Sequence, residues 1–566
     1  MQGTYPLGKS GIGEDRQMRR ETLIGKCKLK IKSKRLEKEV EVPYTWNVEP
    51  GLEKYSGVGE YSANFEVKTP AFRTYLRFGA VYHSCTVYLN GKKLGEHNGS
   101  GYTPFEFDIT DAVTVGQNHL RVVCSNAYTK HSLPHKKDFD WANDGGILRA
   151  VKLIEYGENG VHRSFVESTV TSFLTQEKCD AAVNLRVLLA GGGTLPCELR
   201  VLDPNGTAVF EKQTEFGGGA LNFTLRGAYL WSPENPRLYT LKISYAGGEY
   251  TSSFGIRKIE TRGDRIFLNN REIKLIGVEW MPGSSLENGM AETEDELIKN
   301  LEMLKELNCN FTRFHWQQSE VVFDWCDRNG LMVQEEIPYW GAPKAVGAEQ
   351  TEIAMRHADD MLEYHFNHPS IVCWGVGNEL DGHEKATINY VSTMYGYFKS
   401  RDRMRLVNYV SNTMSFPPRA SKSQSDRDAT AAGDICMWNE YLGTWMVSDD
   451  YDGDMRKALA RSEGKPLIVT EFGLCEPAHK GGDERRIKIY KEKLALYEKL
   501  GFAGWVFFCL NDYRTHVGET GEGIYKQRIH GSVDIYGNKK PSYEFVKEYN
   551  AKKRAETAEK SDSDGE

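Results

Sequence analysis

Short runs in which apolar and polar residues alternate fill the first quarter of the chain. RTYLRFGAV (73–81), CTVYLNGKKLG (85–95), YTPFEFDIT (102–110) and HLRVVCSNA (119–127) each put their apolar residues on one face of a strand. Asn90-Gly91 is a two-residue hairpin signal. The style continues in AAVNLRVLLA, ELRVLDPNGTAVF and YTLKISYA, separated by glycine clusters at 191–193 and 217–219. This pattern predicts two all-β sandwiches, a jelly-roll-like one over 1–155 and an immunoglobulin-like one over 156–258. After FGIRKIE the period changes, and apolar strands alternate with amphipathic helices. KLIGVEW (274–280) is followed by TEDELIKNLEMLKEL, where Thr293 and Glu296 make a capping box and Leu297, Leu301 and Leu304 form one face. FTRFHW, LMVQEEIP, IVCWGVGNE, RLVNYVSN, DICMWNEY, PLIVTEF and GWVFFCL complete a set of eight strands, which predicts an α/β TIM (β/α)8 barrel over 259–550. The remainder, 551–566, is charged and core-free and is expected to be disordered.

The active site of such a barrel lies at the C-terminal ends of its strands. The polar residues there include Glu279, Arg313, His315, Glu335, Glu336, Asn378, Glu379, Asn412, Asn439, Tyr441, Glu471, Asn511 and Asp512. A carboxylate closing an apolar strand is costly unless it has a task. IVCWGVGNEL ends on Asn378 and Glu379, and PLIVTEFG on Glu471, so strands four and seven supply the two carboxylates a glycosidase needs. Glu335 and Glu336 are expected to hold the barrel together through arginine partners.

Composition narrows the classes. A net charge of −7 with mixed signs gives no basic field for nucleic acid or an anionic membrane. No apolar run is long enough to cross a bilayer, and the opening MQGTYPLGKSGIGEDRQMRR lacks a signal-peptide core. Eleven scattered cysteines suit a reducing compartment. A cytoplasmic location is therefore expected, with no membrane or nucleic-acid partner. No glycine-rich phosphate loop follows a strand, so no cofactor is expected. DDYDGD (449–454) lacks the twelfth-position glutamate of a calcium loop and reads as a helix N-terminus. His357, His365 and His368 are not expected to form a metal site.

These motifs resemble glycoside hydrolase family 2, the β-galactosidase, β-glucuronidase and β-mannosidase group. NHPSIVCWGVGNE (367–379) looks like its acid/base signature and IVTEFG (468–473) like its nucleophile strand, with Glu379 and Glu471 separated by 92 positions. VPYTWN (42–47), LWSPENPRLYTL (230–241) and FDWCDRNGLMVQEEIP (323–338) extend the resemblance over residues 40–545. It implies a sugar-binding first sandwich and a retaining exo-β-glycosidase with Glu379 as acid/base and Glu471 as nucleophile. It further implies Asn378 as reader of the sugar 2-hydroxyl, Tyr441 as orienter of the nucleophile and Asp140, in FDWANDGGILR, as a sugar contact. Trp280, His315 and Trp505 join the candidate sugar contacts, and a homo-oligomer acting on a glycoside or oligosaccharide is expected.

Two departures bear on the sugar. The first strand ends Gly277-Val278-Glu279-Trp280-Met281-Pro282, where galactosidases and glucuronidases have G-V-N-R-H-E. Its W-x-P form resembles β-mannosidases. Near the C-terminus, Arg528 and His530 stand where β-glucuronidases carry an N-x-K pair for the sugar carboxylate; the literal Asn538-Lys539-Lys540 falls later. Arginine pairs a carboxylate bidentately, and histidine adds a charge or a donor. Arg514, His516 and Lys526 make the last loop cationic. The leading expectation is a β-hexuronide, galacturonide or glucuronide; a β-galactoside and then a β-mannoside follow. A non-catalytic carbohydrate-binding protein is the distant alternative.

Overall fold

In the computed structural model, residues 19–129, 131–134, 141–341, 346–476, 478–515 and 526–563 are described. The first sandwich packs a four-stranded sheet, which includes Arg73–Phe78 and Val151–Tyr156, against a six-stranded one. Leu76, Phe78, Val87, Leu89 and Val122 lie in the core between them, each on the inward side of an alternating strand. Asn90 and Gly91 both have positive φ and turn Ser84–Leu89 into Lys92–His97, as their hairpin signal predicts. The second sandwich pairs sheets of three and four strands between Val161 and Phe254, the strand division of an immunoglobulin constant domain.

Eight parallel strands then close into a barrel: β1 (Leu275–Glu279), β2 (Phe311–Arg313), β3 (Met332–Glu336), β4 (Ile371–Asn378), β5 (Leu406–Ser411), β6 (Cys436–Asn439), β7 (Leu467–Glu471) and β8 (Gly504–Phe508). Helix α1 (Glu294–Glu306) starts on the predicted capping box, with Leu297, Leu301 and Leu304 buried. The helices α2 (Glu320–Asn329), α3 (Ala348–Tyr364), α4 (Lys385–Lys399), α5 (Tyr451–Arg461) and α6 (Gly482–Lys499) cover further strands, and a short 3-10 turn replaces a helix between β5 and β6. Asp450 of DDYDGD caps α5. Where strands touch, glycine is obligatory: a Cβ on Gly277 would lie 1.8 Å from the Phe311 carbonyl oxygen.

Two expectations change. Residues 551–563 are not a disordered tail but the continuation of α7 (Pro541–Ser563). Lys553 pairs with Glu498 and Arg554 with Glu234, so the charges that suggested disorder anchor the helix to the body. Glu336 is held by Arg313, but the partner of Glu335 is His365 Nδ1, at 2.8 Å, rather than an arginine. His357 contacts Gln317 and the Gly99 carbonyl, away from the other two, while His365 and His368 lie with their rings 6.0 Å apart, the first on Glu335 and the second on Asp327. No described helix is long and apolar enough to cross a membrane.

Candidate active site

At the C-terminal ends of the strands lies a cavity of about 650 Å³ lined by Asn378, Glu379, Tyr441, Glu471, His315, Arg528 and His530. Aromatic walls close it: Trp340 follows β3, Phe508 ends β8, Trp445 follows β6, and Trp141 reaches in from the first sandwich.

The backbone at the end of β4 is strained. Glu379 has φ of 49°, a left-handed conformation unusual outside glycine and typical of functional sites. Two hydrogen bonds hold it there, from Asn378 N to the Tyr339 carbonyl at 2.8 Å and from Glu379 N to the Val410 carbonyl at 2.9 Å. The amide of Asn439, at the end of β6, ties the carboxylates together. Its Nδ2 lies 2.7 Å from Glu379 Oε1 and 2.8 Å from Glu471 Oε1, which keeps those oxygens within about 5.5 Å, the carboxyl spacing of retaining glycosidases. Tyr441 Oη donates to the other Glu471 oxygen at 2.9 Å.

Arg313, fully buried at the end of β2, is the hub. Its Nη1 donates to Glu471 at 2.8 Å and to Glu279 at 2.9 Å, its Nη2 to Asn378 Oδ1 at 2.9 Å, and Nε and Nη2 together grip Glu336. Burial pushes the Glu471 carboxyl up to about 8; Glu279 and Glu379 add to the rise, while His315 and Arg313 oppose it. Burial likewise pushes Glu279 up to about 8, against the pull of Arg313 and with a push from Glu379. The Tyr441 phenol is raised by burial and by Glu471, so it stays a donor to that carboxylate. Glu279, His315 and Glu471 offer ligand atoms within 4.8 Å of one another, a spacing that a cation could bridge. Arg313 already supplies the positive charge between the two carboxylates there.

Among the sequence candidates, Asn378, Glu379, Glu471, Tyr441, His315, Arg528 and His530 therefore converge on one cavity. Trp280 and Trp505 do not. Trp280 stacks edge-on against Phe314 beneath the rim, and Trp505 points outward from β8 towards Tyr549 of α7. In both cases strand alternation turns the indole into the layer between barrel and helices. Asp140 lies outside the described residues, as do His516 and the Lys526 side chain of the cationic loop. Arg514 is not a cavity cation: it is buried against Asp144 at 2.7 Å. Lys540 of the NKK segment pins Asp512 and the Gly531 carbonyl. His530 carries no positive charge, because burial and the nearby cations Arg486 and Arg528 hold its pKa well below the ordinary histidine value. Its Nδ1 has no hydrogen-bond partner among the described residues.

Sequence reasoning passed over Trp141, Trp340, Phe508 and Trp445. Trp141 sits beside the singled-out Asp140, and Trp445 ends the NEYLGTW run, so proximity to motif residues was the available signal. Trp445 matters because the Arg528 guanidinium lies over its ring at 5.4 Å.

The chain resembles known proteins over most of its length. Residues 24–156, 165–257 and 259–520 match, in order, the sugar binding domain, the middle region and the TIM barrel domain of glycosyl hydrolases family 2. A β-galactosidase of Thermoanaerobacterium thermosulfurigenes is 26% identical over 88% of this chain and 69% of its own length. A β-glucuronidase of Bacteroides fragilis is 28% identical over 72% of this chain, and the match spans 61% of that relative's length. A crystal structure of a β-galacturonidase from Eisenbergiella tayi bound to galacturonate superposes with a TM-score of 0.79 at 24% identity, covering 94% of this chain and 97% of that one. A β-glucuronidase of an uncultured Clostridium species gives 0.82 at 22% identity, with 98% and 100% coverage.

Proposed function

As a member of glycoside hydrolase family 2 this chain is a glycoside hydrolase, and we propose that it removes terminal β-linked hexuronic acids by double displacement. Glu471 attacks the anomeric carbon while Glu379 protonates the departing glycosidic oxygen. The glycosyl ester so formed is hydrolysed by a water that Glu379, now a base, deprotonates, and the configuration is retained. The close spacing of the two carboxylates through Asn439 supports retention, since an inverting pair would leave room for water between them. Asn378 reads the 2-hydroxyl, with its amide oxygen turned to Arg313 so that its nitrogen remains to donate.

The observation that carries the uronide is Arg528. It is a cation on the wall of the same cavity as the acid pair, seated over the Trp445 ring. A planar guanidinium there suits the sugar carboxylate. The neutral His530 supplies a hydrogen bond rather than a second charge. A β-galactoside is the rival reading, favoured by that neutrality and by the β-galactosidase among the relatives. A panel of nitrophenyl glycosides separates them. Arg528→Ala is expected to lower kcat/KM on the uronide by roughly 10²-fold, the worth of a charge-assisted pair, and to spare the matching neutral hexoside. Equal losses on both would remove the uronide assignment.

A further inference from the structure

Glu440 stands between two residues that serve the acid pair and points the other way. Asn439 and Tyr441 both reach Glu471, through Nδ2 at 2.8 Å and Oη at 2.9 Å. Glu440 faces the helix layer instead, as alternation along the chain from β6 requires. There its carboxylate meets two side chains of α6: the Lys493 ammonium on Oε1, and the Tyr497 hydroxyl, which donates to Oε2. The Leu442 amide donates to Oε1 as well, at 2.8 Å, so one carboxylate closes the turn that carries Tyr441. Glu440, Lys493 and Tyr497 are 1%, 2% and 0% exposed. Lys493 and Tyr497 stand one turn apart on the same face of α6.

The same helix also touches the chain at the nucleophile. The Tyr497 ring packs edge-on against Phe472, the residue after Glu471, with centroids 5.3 Å apart. The Glu440 amide donates to the Glu471 carbonyl at 2.7 Å. Tyr497 therefore joins the chain neighbours of both partners in the Tyr441–Glu471 hydrogen bond. An ion pair as deep as Glu440–Lys493 is a poor source of stability, because apolar residues of similar volume do as well or better. What a fully satisfied buried network supplies is a single fixed geometry.

We propose that Lys493 and Tyr497 are positioning residues for the nucleophile: through Glu440 they hold the turn that sets the Tyr441 hydroxyl on Glu471. The inference rests on the double-displacement reading above. Arg313 and Asn439 both donate to Glu471 Oε1, whereas Oε2 receives Tyr441. Without the grip of α6 on Glu440 the turn is free to shift, and Oε2 loses its donor while Oε1 keeps both of its own. Lys493 and Tyr497 thus act on the reaction through the Tyr441 hydroxyl.

The test is a double-mutant cycle on kcat/KM, using the nitrophenyl glycoside that wild type hydrolyses best, whichever sugar that is. E440Q/K493M removes both charges together, so neither is stranded in the interior. It should lower kcat/KM roughly tenfold, the scale on which a small misplacement beside a reacting group is felt. In a Tyr441→Phe background, where no hydroxyl remains to be placed, the same exchange should cost less than about twofold. Equal losses in the two backgrounds mark a general effect on the fold, and no loss in either marks a network without bearing on Glu471; each overturns the proposal. If E440Q/K493M folds poorly, Tyr497→Phe, which removes one hydroxyl and keeps the ring on Phe472, goes through the same cycle with a loss of roughly threefold expected.

A second measurement does not depend on turnover. A fluorinated tyrosine placed at position 441 should give one sharp fluorine NMR line in the otherwise unchanged protein and a broadened or divided line in E440Q/K493M. An unchanged line also overturns the proposal. If wild type hydrolyses no glycoside in the panel, the catalytic reading falls, and the fluorine line alone decides whether α6 sets the Tyr441 ring.

Discussion

A single amide nitrogen, Nδ2 of Asn439, touches Asn378, Glu379 and Glu471 at once, so it joins the two carboxylates that the proposed mechanism assigns different tasks. If Glu379 is the proton donor, Glu379→Gln should cost roughly 10²–10⁴-fold in kcat/KM on an alkyl or sugar glycoside, the usual worth of acid catalysis. The first step on a nitrophenyl glycoside should suffer far less, and a burst of nitrophenol followed by slow turnover would mark the stranded glycosyl ester. Uniform losses across leaving groups would take the acid role away from Glu379. Both acids were legible in the sequence because a charged residue closing a buried apolar strand has few explanations. Asn439 and Arg313 were visible as strand-end residues, but their roles were not, since which oxygens they bridge depends on parallel register. The state of His530, a charge or a donor, stayed open in the sequence for a related reason. A short motif shows the residue type but not the burial and neighbouring cations that hold the ring neutral.

At the level of elements, alternation explains both success and error. On β8 Val506 points into the barrel and Trp505 and Phe507 point towards the helices, while Phe508 at the strand end lines the cavity. An apolar run such as GWVFFCL does not reveal which parity faces the lumen, so an indole three residues from the rim was taken for a sugar platform and Phe508 was missed. Helix starts were more transparent, because a capping box is local chemistry. Thr293→Ala removes the hydroxyl that accepts from Glu296 N and should cost about 1 kcal/mol in chemical denaturation, with the pH profile of activity unchanged. The C-terminal segment was misread on composition: Ala, Glu and Lys are also strong helix formers, and partners on α6 and the second sandwich were out of sight. Those ion pairs are partly exposed, so deleting residues 551–566 should lower stability by no more than about 1 kcal/mol per pair and leave kcat/KM intact.

Across the molecule, the first sandwich and the barrel meet at a buried ion pair. Asp144 and Arg514 are both inaccessible; the carboxylate receives Nη1 at 2.7 Å and Nη2 at 3.1 Å, and also the Met290 amide. Removing one partner of such a pair strands a charge in the interior. Asp144→Ala should destabilise by about 3–5 kcal/mol, with Asp144→Asn milder because it keeps an acceptor. If the Tm is unaffected, the pair does not hold the two units together. Three residues upstream of Asp144, Trp141 stands in the cavity wall with its ring 5.1 Å from that of His315 and 4.4 Å from that of Trp340. A barrel without the sandwich would hold both carboxylates and still present an open, wetter site. Domains emerge from the ribosome N-terminus first. The wall is thus made before the room it closes, and the cavity is complete only once the barrel and the sandwich meet. Turnover in a nascent or refolding chain is therefore expected to time the docking between domains rather than the folding of the barrel alone.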